Sequence, residues 1–299
     1  MIVTEGLTKR YGAVEALTDL TMTVRKGEVF GLLGPNGSGK TTAIRLLLGL
    51  LRPTAGRASV AGFDCWHHSL DVRQLVSYLP GELRMFGAMT GLGLLRYLSD
   101  LRGGTALERA VAIAERVMKL DLRRKVRTYS TGMKQKLALA QTFADPVDIL
   151  ILDEPTVALD PSARADVLDL VLAAKANGQT VIFSGHVLPE VEQVADRVAI
   201  LRRGRLMHVE DMHQRRRDVR LVLVRFAGEI PAAFPEALEL SVRERNGEVV
   251  LLEHRGPPVP LLSWLATQAV SDLAIGTDDL RSLYDRFHGP NAGDDEVSA

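Results

Sequence analysis

The feature that most constrains the fold is a glycine-rich loop, "GPNGSGKTT" at residues 34–42, which follows an apolar run and precedes a helical pattern. The loop matches G-x-x-x-x-G-K-[ST], in which glycines allow sharp curvature and a close approach of the backbone to a ligand. Several backbone N–H groups then point inwards, and the helix N-terminus adds its dipole. A purely structural turn is the alternative, but the pattern favours a site for the phosphates of a nucleotide.

The side chains of this loop indicate which nucleotide and which cation it binds. Lys40 places a positive charge at the β- and γ-phosphates, and the hydroxyl of Thr41 can ligate Mg²⁺. A GTPase is expected to carry an Asn-Lys-x-Asp motif downstream, and the sequence contains none. The loop therefore indicates a nucleoside triphosphatase with Mg²⁺ and leaves the type open, and the family resemblance given below implies ATP. The predicted ATP contacts in the loop are Gly34, Pro35, Asn36, Gly37, Ser38, Gly39, Lys40, Thr41 and Thr42.

Two acidic residues follow a second apolar run, "DILILDEPT" at residues 148–156. Asp153, at the end of the predicted strand, suits a Mg²⁺ site together with Thr41. Glu154 points to the opposite side or turns away as the strand ends, where it could polarise the attacking water. Another strand, "VIFSGH", ends in His186, which could contact the γ-phosphate. A lone histidine with only a structural role is the alternative, but open α/β sheets bind ligands at the carboxyl ends of their strands.

The remaining pattern of residues 1–212 predicts an α/β fold with three parts. Residues 1–30 alternate apolar and polar side chains, which predicts antiparallel strands leading into a buried strand at Val29–Leu33. Residues 84–128 have helical spacing, with a predicted apolar face at Leu107, Val111, Ala114 and Met118. Later strands and helices alternate, which favours a mostly parallel sheet.

Residues 213–299 are predicted to form a small α+β domain with a disordered tail. Short strands precede and follow a hairpin turn at Asn246–Gly247. Two helices are predicted, "PLLSWLATQAV" and "DDLRSLYDRFHG", the second capped by Thr277. The basic patch Arg215–Arg217 could contact nucleic acid or lipid headgroups, but its surroundings favour a solvated linker.

Composition limits the partners and the compartment. The chain has 299 residues and a formal net charge of +0 at pH 7, so no attraction to nucleic acid is expected. The single cysteine, Cys65, cannot form an internal disulfide, which is typical of a reducing cytoplasm. The N-terminal segment lacks the apolar core of a signal peptide, and the apolar runs are too short to span a bilayer. We therefore expect a cytoplasmic protein that reaches a membrane only through a partner.

These motifs, in this order and spacing, resemble the nucleotide-binding subunit of ATP-binding cassette (ABC) transporters. The resemblance implies a P-loop NTPase fold, with a RecA-like core, an antiparallel β subdomain and a helical subdomain. It implies that Tyr11 stacks on adenine, that "YSTGM" at 129–133 is the signature motif, and that "ALD" at 158–160 is the D-loop. It further implies a head-to-tail homodimer, in which Ser130, Gly132 and Asp160 serve the ATP bound to the other subunit.

Two departures from the family pattern stand out. The usual signature is L-S-G-G-Q, and the variant with Tyr129 and Met133 resembles the ABC-2 exporter branch. Gly81 occupies the position of a Mg²⁺-coordinating glutamine, with Glu82 next to it. The C-terminal domain resembles the accessory domain of bacterial drug and antibiotic exporters, which implies stabilising or regulating the dimer.

The resemblance predicts an ATPase subunit that powers an ABC-2 exporter of drugs, antibiotics or other hydrophobic substrates through an integral membrane permease. Such a subunit is peripheral at the inner face of the cell membrane. A soluble ABC ATPase of translation or DNA repair is the main alternative, although such proteins usually carry two cassettes or a long coiled-coil insertion. A stand-alone P-loop kinase is a third, but it would leave the signature and the D-loop without a role.

Overall fold

A computed structural model describes residues 1–228, 230, 231 and 233–277, and the chain divides into two compact units, Met1–Val209 and Glu210–Ala299. The first ten strands are β1 Ile2–Tyr11, β2 Val14–Val24, β3 Val29–Leu33, β4 Ala55–Val60, β5 Phe63–Asp64, β6 Val76–Leu79, β7 Ile149–Asp153, β8 Thr180–Gly185, β9 Arg197–Arg202 and β10 Arg205–Asp211. The first seven helices are α1 Lys40–Leu47, α2 Ser69–Leu75, α3 Gly91–Asp100, α4 Leu107–Ala112, α5 Thr131–Ala144, α6 Pro161–Ala176 and α7 Leu188–Val194.

The centre of the first unit is a six-stranded sheet in the order β10-β9-β3-β8-β7-β6. Strand β3 pairs in parallel with β8 and β9, and β7 pairs in parallel with β6 and β8. Every residue of β3, β7 and β8 is buried, because helices and the second sheet cover both faces. The prediction of a mostly parallel sheet with fully buried strands is confirmed, and the carboxyl ends of β3, β7 and β8 lie side by side.

A four-stranded sheet in the order β2-β1-β4-β5 forms the second layer, and β1 pairs antiparallel with both β2 and β4. Its inner face shares one hydrophobic core with α1 and the central sheet, since Leu7 and Leu17 pack in the same cluster as Ile44 and Ile151. The predicted antiparallel region and the P-loop NTPase fold class are therefore confirmed.

Helices α3, α4 and α5 form the helical part of this unit, as predicted. Two further turns belong to it, a π-helical segment at Ile113–Val117 and a 3-10 turn at Val126–Thr128. The predicted apolar face is only partly correct. Ala114 and Met118 are buried, whereas Leu107 and Val111 are partly exposed. The wider π-turn adds a residue to the repeat and rotates the apolar face between the two halves.

The second unit contains α8 Met212–Asp218, β11 Val219–Phe226, β12 Leu240–Asn246, β13 Val249–Arg255, α9 Pro258–Leu265, β14 Val270–Thr277 and a 3-10 turn at Glu236–Leu238. Its sheet is antiparallel, in the order β12-β13-β11-β14. Its core residues are Val222, Val224, Phe226, Val250, Leu252, Leu261 and Leu265. The predicted hairpin is confirmed, since Asn246 pairs with Val249 and Gly247 has φ +58°.

Two predictions for this unit are wrong. The basic segment is not a solvated linker, because it forms α8 and the side chain of Arg215 is 8% exposed, with Nη1 3.7 Å from Oε2 of Glu210. The helix predicted over 260–270 ends at Leu265, and β14 follows where no strand was expected. Pairing with β11 overrides the weak local preference of this segment. The predicted last helix and tail lie outside the described residues.

Candidate active site

The glycine-rich loop connects β3 to α1 and contacts neighbouring backbone closely. Gly39 has φ +102°, and a Cβ there would lie 2.8 Å from the carbonyl oxygen of Ala16. A Cβ on Gly34 would lie 2.4 Å from the carbonyl oxygen of Leu201. The fold therefore requires glycine at both positions before any ligand is considered.

Two side chains of the loop carry groups suited to a phosphate. Lys40 is buried at the first turn of α1, and its Nζ donates to the carbonyl oxygens of Gly34 at 2.6 Å and Pro35 at 3.2 Å. The hydroxyl of Ser38 is also buried and has no hydrogen-bond partner in the described part of the chain. A buried ammonium and an unpaired hydroxyl fit an anionic ligand in this loop.

Asp153 ends β7 with its side chain 1% exposed, and two hydroxyls donate to it. Thr41 donates to Oδ2 at 2.9 Å, and Ser184 donates to Oδ1 at 2.7 Å. Hydroxyl and carboxylate oxygens are the ligands that Mg²⁺ prefers, and Mg²⁺ usually takes few of them from the protein. The pair Thr41 and Asp153 therefore fits Mg²⁺, although the described residues contain no cluster of three metal-binding side chains.

Glu154 turns away from the sheet immediately after Asp153. Its φ is +52°, and its backbone N–H donates to Oγ of Ser184 at 3.0 Å. Its carboxylate lies 3.5 Å from Nζ of Lys40 and 3.6 Å from Nδ1 of His186, whose ring is about half exposed. Of the two orientations expected for Glu154, the structure shows the turn at the strand end. It places the predicted base between the loop lysine and the predicted histidine.

A cavity of about 410 Å³ opens beside these groups, lined by Thr41, Arg45, Tyr78, Pro80, Gly81, Glu82, Arg84, Asp153 and Glu154. Burial, together with the nearby charge of Asp153, raises the pKa of Tyr78 to about 12, and Arg45 opposes this shift. A Cβ on Gly81 would lie 3.4 Å from Oδ2 of Asp153. The position that lacks the glutamine is thus next to the predicted metal ligand, and Glu82 lines the same cavity.

The signature segment packs against the D-loop of the same chain. Oγ of Ser130 caps α5 by accepting from the N–H of Met133 at 3.2 Å. A Cβ on Gly132 would lie 2.6 Å from the carbonyl oxygen of Ala158. Neither Ser130 nor Gly132 has a described hydrogen bond to the loop at residues 34–42.

Asp160 begins α6 and its carboxylate is already bonded twice. It accepts from the N–H of Ala163 at 2.9 Å and from Nζ of Lys136 at 3.2 Å. The N–H of Ala163 and then Lys136 hold the pKa of Asp160 below its ordinary value. The D-loop is therefore tied to α5 as well as to its own helix.

Two aromatic residues predicted from the family pattern have distinct settings. Tyr129, in place of the usual leucine, is buried and donates its hydroxyl to the carbonyl oxygen of Asp121 at 2.7 Å. A Cβ on Gly91 would lie 2.4 Å from that hydroxyl, so Tyr129 requires glycine there. Tyr11 is 47% exposed at the end of β1, with Nζ of Lys9 5.1 Å from its ring centroid. Adenine stacking by Tyr11 stays a prediction.

The sequence reasoning missed Ser184, Arg45 and Tyr78. Ser184 had a partial signal, because it is a polar residue near the end of the predicted strand "VIFSGH", but its register with Asp153 is seen only in the structure. Polar residues at the carboxyl ends of adjacent parallel strands meet at one edge of a sheet. Arg45 and Tyr78 gave no such signal, since their approach to Asp153 depends on how α1 and β6 pack.

The sequence pattern of the ABC transporter family matches residues 17–157. The uncharacterized ABC transporter ATP-binding protein YhcH of Bacillus subtilis (strain 168) is 31% identical over 288 residues, which cover 95% of this chain and 93% of that protein. The daunorubicin resistance ATP-binding protein DrrA3 of Streptomyces coeruleorubidus is 40% identical over 210 residues, covering 69% of this chain and 66% of that protein. For three such relatives, the chain spans 56% to 66% of their length.

Solved structures are similar over the same region. One described as the structure of an ATP-binding subunit of an ABC transporter has a TM-score of 0.66 and 29% sequence identity, and covers 72% of this chain and 92% of its own. The loop, the two acidic residues and His186 all lie within the first structural unit.

Proposed function

Because the chain belongs to the ABC transporter family of ATP-binding proteins, we propose that it binds ATP with Mg²⁺ and hydrolyses ATP to power a separate membrane transporter. The observation that carries this proposal is the convergence of Lys40, Asp153, Glu154 and His186 at one edge of the central sheet. Lys40 follows β3, Asp153 and Glu154 come from the end of β7, and His186 follows β8, so the pairing of these parallel strands brings the four side chains together.

Each side chain has a role that follows from its position. Lys40 and the backbone N–H groups of the loop hold the β- and γ-phosphates, and Thr41 and Asp153 hold Mg²⁺. Mg²⁺ supplies positive charge that offsets the charge of the phosphates. Glu154 orients the attacking water and accepts its proton, and His186 positions the γ-phosphate. Phosphoryl transfer depends mainly on such positioning and charge.

We propose that two copies of the chain act together in a head-to-tail arrangement. Ser130 and Gly132 lie at the N-terminus of a 14-residue helix, where backbone N–H groups suit an anion. Within one chain Ser130 caps its own helix and Gly132 contacts the D-loop, and neither has a described hydrogen bond to the glycine-rich loop. A second copy supplies a phosphate to them, and Tyr11 stacks on the adenine.

A transport role is supported by the names of the relatives. DrrA3 is named for daunorubicin resistance, LnrL of Bacillus subtilis for linearmycin resistance, and BcrA of Enterococcus faecalis for bacitracin transport. These names support a transport role over a soluble role in translation or DNA repair, and we propose that the transporter is an ABC-2 permease that exports a drug or antibiotic. No helix of the described residues is both long and apolar enough to cross a membrane.

A second cavity offers a contact surface for that permease. It has about 260 Å³ and a mainly apolar lining, and three residues, Tyr78, Pro80 and Arg84, line both it and the cavity beside Asp153. Phe86 lies at its wall and is 58% exposed. A permease segment bound here would change the surroundings of Asp153 directly, which supports coupling between the two proteins.

The proposal is tested by co-purification and by ATPase assays. The chain is co-expressed with the membrane protein encoded next to it, and ATP hydrolysis is measured with and without that protein in lipid. We expect Mg²⁺-dependent hydrolysis that the membrane protein stimulates and that Glu154→Gln strongly reduces. Co-purification with ribosomes or DNA instead, without stimulation by the membrane protein, would support the soluble alternative.

A further inference from the structure

Ser184 occupies a central position that the sequence motifs do not assign. It is the fifth residue of β8, with 0% of its side chain exposed, and it pairs in register with Asp153 on β7. His186 follows it by two residues. The hydroxyl of Ser184 is therefore buried near the carboxyl ends of the parallel strands, where the glycine-rich loop and the acidic residues meet.

The Ser184 hydroxyl joins both acidic residues. It donates to Oδ1 of Asp153 at 2.7 Å, and it accepts from the backbone N–H of Glu154 at 3.0 Å. The donated bond occupies Oδ1 and leaves Oδ2 to face Thr41. One buried hydroxyl thus fixes the rotation of one carboxylate and the backbone that carries the next.

The backbone of Glu154 needs such support. Its φ of +52° lies in the left-handed region, which non-glycine residues adopt only where the surroundings hold them. This conformation turns the Glu154 carboxylate off the strand and toward Lys40 and His186. A hydrogen bond to the N–H of Glu154 stabilises the turned conformation directly.

We propose that Ser184 is a positioning residue for ATP hydrolysis, which acts through Asp153 and Glu154 without touching the substrate. It directs Oδ2 of Asp153 toward Thr41 at the proposed Mg²⁺ site, and it holds Glu154 in the geometry needed to orient water. This assignment rests on the proposed ATPase function. It predicts that loss of the hydroxyl lowers turnover and the affinity for Mg²⁺, but not the affinity of the loop for ATP alone.

Ser77 provides a matched control for the loss of a buried hydroxyl. It is 3% exposed, it lies on β6 of the same sheet, and its Oγ donates to Oδ2 of Asp145 at 2.7 Å, the same distance as in the Ser184 bond. Its carboxylate partner, Asp145, is the C-cap of α5 and precedes β7 in the sequence. Ser77→Ala and Ser184→Ala therefore each remove one buried hydroxyl–carboxylate bond from the sheet.

The experiment compares these two variants with the wild type. For Ser184→Ala we expect kcat to fall about tenfold, because small displacements of a catalytic group have effects of this order or larger. We expect a several-fold higher Mg²⁺ concentration for half-maximal activity, and an unchanged Kd for ATP measured in EDTA. Ser77→Ala should lower the thermal midpoint by a similar amount and leave kcat within twofold. Equal loss of kcat in both variants would overturn the assignment.

A double-mutant cycle separates positioning from a general defect. In the Glu154→Gln background, and at a Mg²⁺ concentration that saturates both variants, Ser184→Ala should lower the single-turnover rate by less than twofold, because the carboxylate that it positions for water has been replaced. A full tenfold further loss would contradict an action through Glu154.

The outcome also distinguishes this assignment from the proposed function. A wild-type chain that hydrolyses ATP, beside a Ser184→Ala variant with the same kcat and the same Mg²⁺ requirement, contradicts only the role of Ser184. A wild-type chain that binds no ATP contradicts the proposed function, and the role of Ser184 with it.

Discussion

The glycine-rich loop and the start of α5 are both helix N-termini that the family pattern assigns to phosphate, yet their polar groups differ in what they already bind. In the loop, Lys40 donates to a carbonyl oxygen of the loop itself, and Thr41 donates to the carboxylate of Asp153, which lines the cavity described above. At α5, Ser130 caps its own helix, and Gly132 approaches the backbone of Ala158. The loop side chains are suited to the proposed nucleotide and Mg²⁺, whereas the start of α5 is engaged by its own helix and by the D-loop.

Two helix N-termini of the same type therefore differ in the property that a substitution is expected to change. A substitution of Lys40 or Thr41 is expected to act mainly on nucleotide binding and hydrolysis, whereas the loop glycines Gly34 and Gly39 are also required by the fold. A substitution at the start of α5 is expected to act on the folding of the chain as well as on any second copy. Experiments on the two regions therefore need different measurements.

The largest effect is expected at Glu154. Glu154→Gln keeps the shape of the side chain but removes the base, so kcat should fall about 10²- to 10⁴-fold, while ATP affinity stays within about threefold. Steady-state ATPase assays and equilibrium binding of a fluorescent ATP measure the two quantities. The control is Asp148→Asn, an exposed residue before the other end of β7, which should leave both unchanged. Normal turnover in Glu154→Gln would remove this residue from catalysis.

The next effect concerns Lys40, the buried cation of the loop. Lys40→Ala removes charge-assisted hydrogen bonds to phosphate, each of which contributes about 1.5–3 kcal/mol, so the Kd for ATP should rise about 10- to 100-fold. Lys136→Ala, which loses only the bond to Asp160, is the matched control from the α5 region. Isothermal titration on the isolated chain decides between them. Equal losses of affinity would mean that the two regions do not differ as described.

A smaller effect, now on stability, separates Gly132 from Ser130. A Cβ on Gly132 meets the carbonyl oxygen of Ala158 at 2.6 Å, so Gly132→Ala should lower the free energy of unfolding by about 1–3 kcal/mol through overpacking. Ser130→Ala loses only an exposed helix cap, at a cost of about 1 kcal/mol. Urea unfolding of the isolated chain measures both. The reverse order would show that the contact with Ala158 relaxes easily.

The difference between Gly132 and Ser130 also determines which variant better tests the proposed dimer. Because Gly132 contacts the D-loop of its own chain, a variant at Gly132 disturbs the monomer and the dimer together. Ser130→Ala disturbs the monomer less. ATP-dependent dimerisation in the Glu154→Gln background, followed by size-exclusion chromatography, is therefore more informative with Ser130→Ala.

The smallest effect is a pH dependence at Asp160. Its pKa in the folded chain lies below the ordinary value of 3.8, mainly because the N–H of Ala163 donates to it. Its contribution to stability is therefore fully present above about pH 3.8 and is lost as the pH falls through the folded-state pKa. Asp160→Ala should lower the unfolding midpoint at pH 7, and the difference from wild type should shrink below pH 3.8. Asp169→Ala, on an exposed position of the same helix, should show no such dependence.

The central sheet could be predicted from the sequence because its signals are local and strong. Continuous apolar runs at Val29–Leu33 and Ile149–Asp153 are bounded by turn residues, and both form fully buried strands. The second unit was harder. Strand β14 contains Asp272, Ala274 and Gly276, residue types that are depleted in strands, and it is fixed by pairing with β11. The burial of Arg215 depends on tertiary packing that charge patterns do not show.

The residues of the candidate site also differ in how far the sequence predicts them. The loop, Asp153, Glu154 and His186 follow from motifs, because each motif comes at the end of a strand and parallel strands end at one edge. Ser184 required the register between β7 and β8, which the sequence does not contain. The contact of Gly132 with Ala158 of its own chain could not be predicted, because it depends on the path of the D-loop. That loop turns at Ala158, whose φ is +61°.

The hydrogen bonds of Lys40 and Thr41 to their own chain have a consequence for how a nucleotide is held and released. A phosphate that takes Lys40 replaces its bonds to two carbonyl oxygens, and a cation at Thr41 replaces the bond to Asp153. Binding is thus an exchange of partners, and the affinity is the difference between two similar sets of bonds. The same exchange in reverse assists product release, so a site with strong individual contacts can still turn over repeatedly.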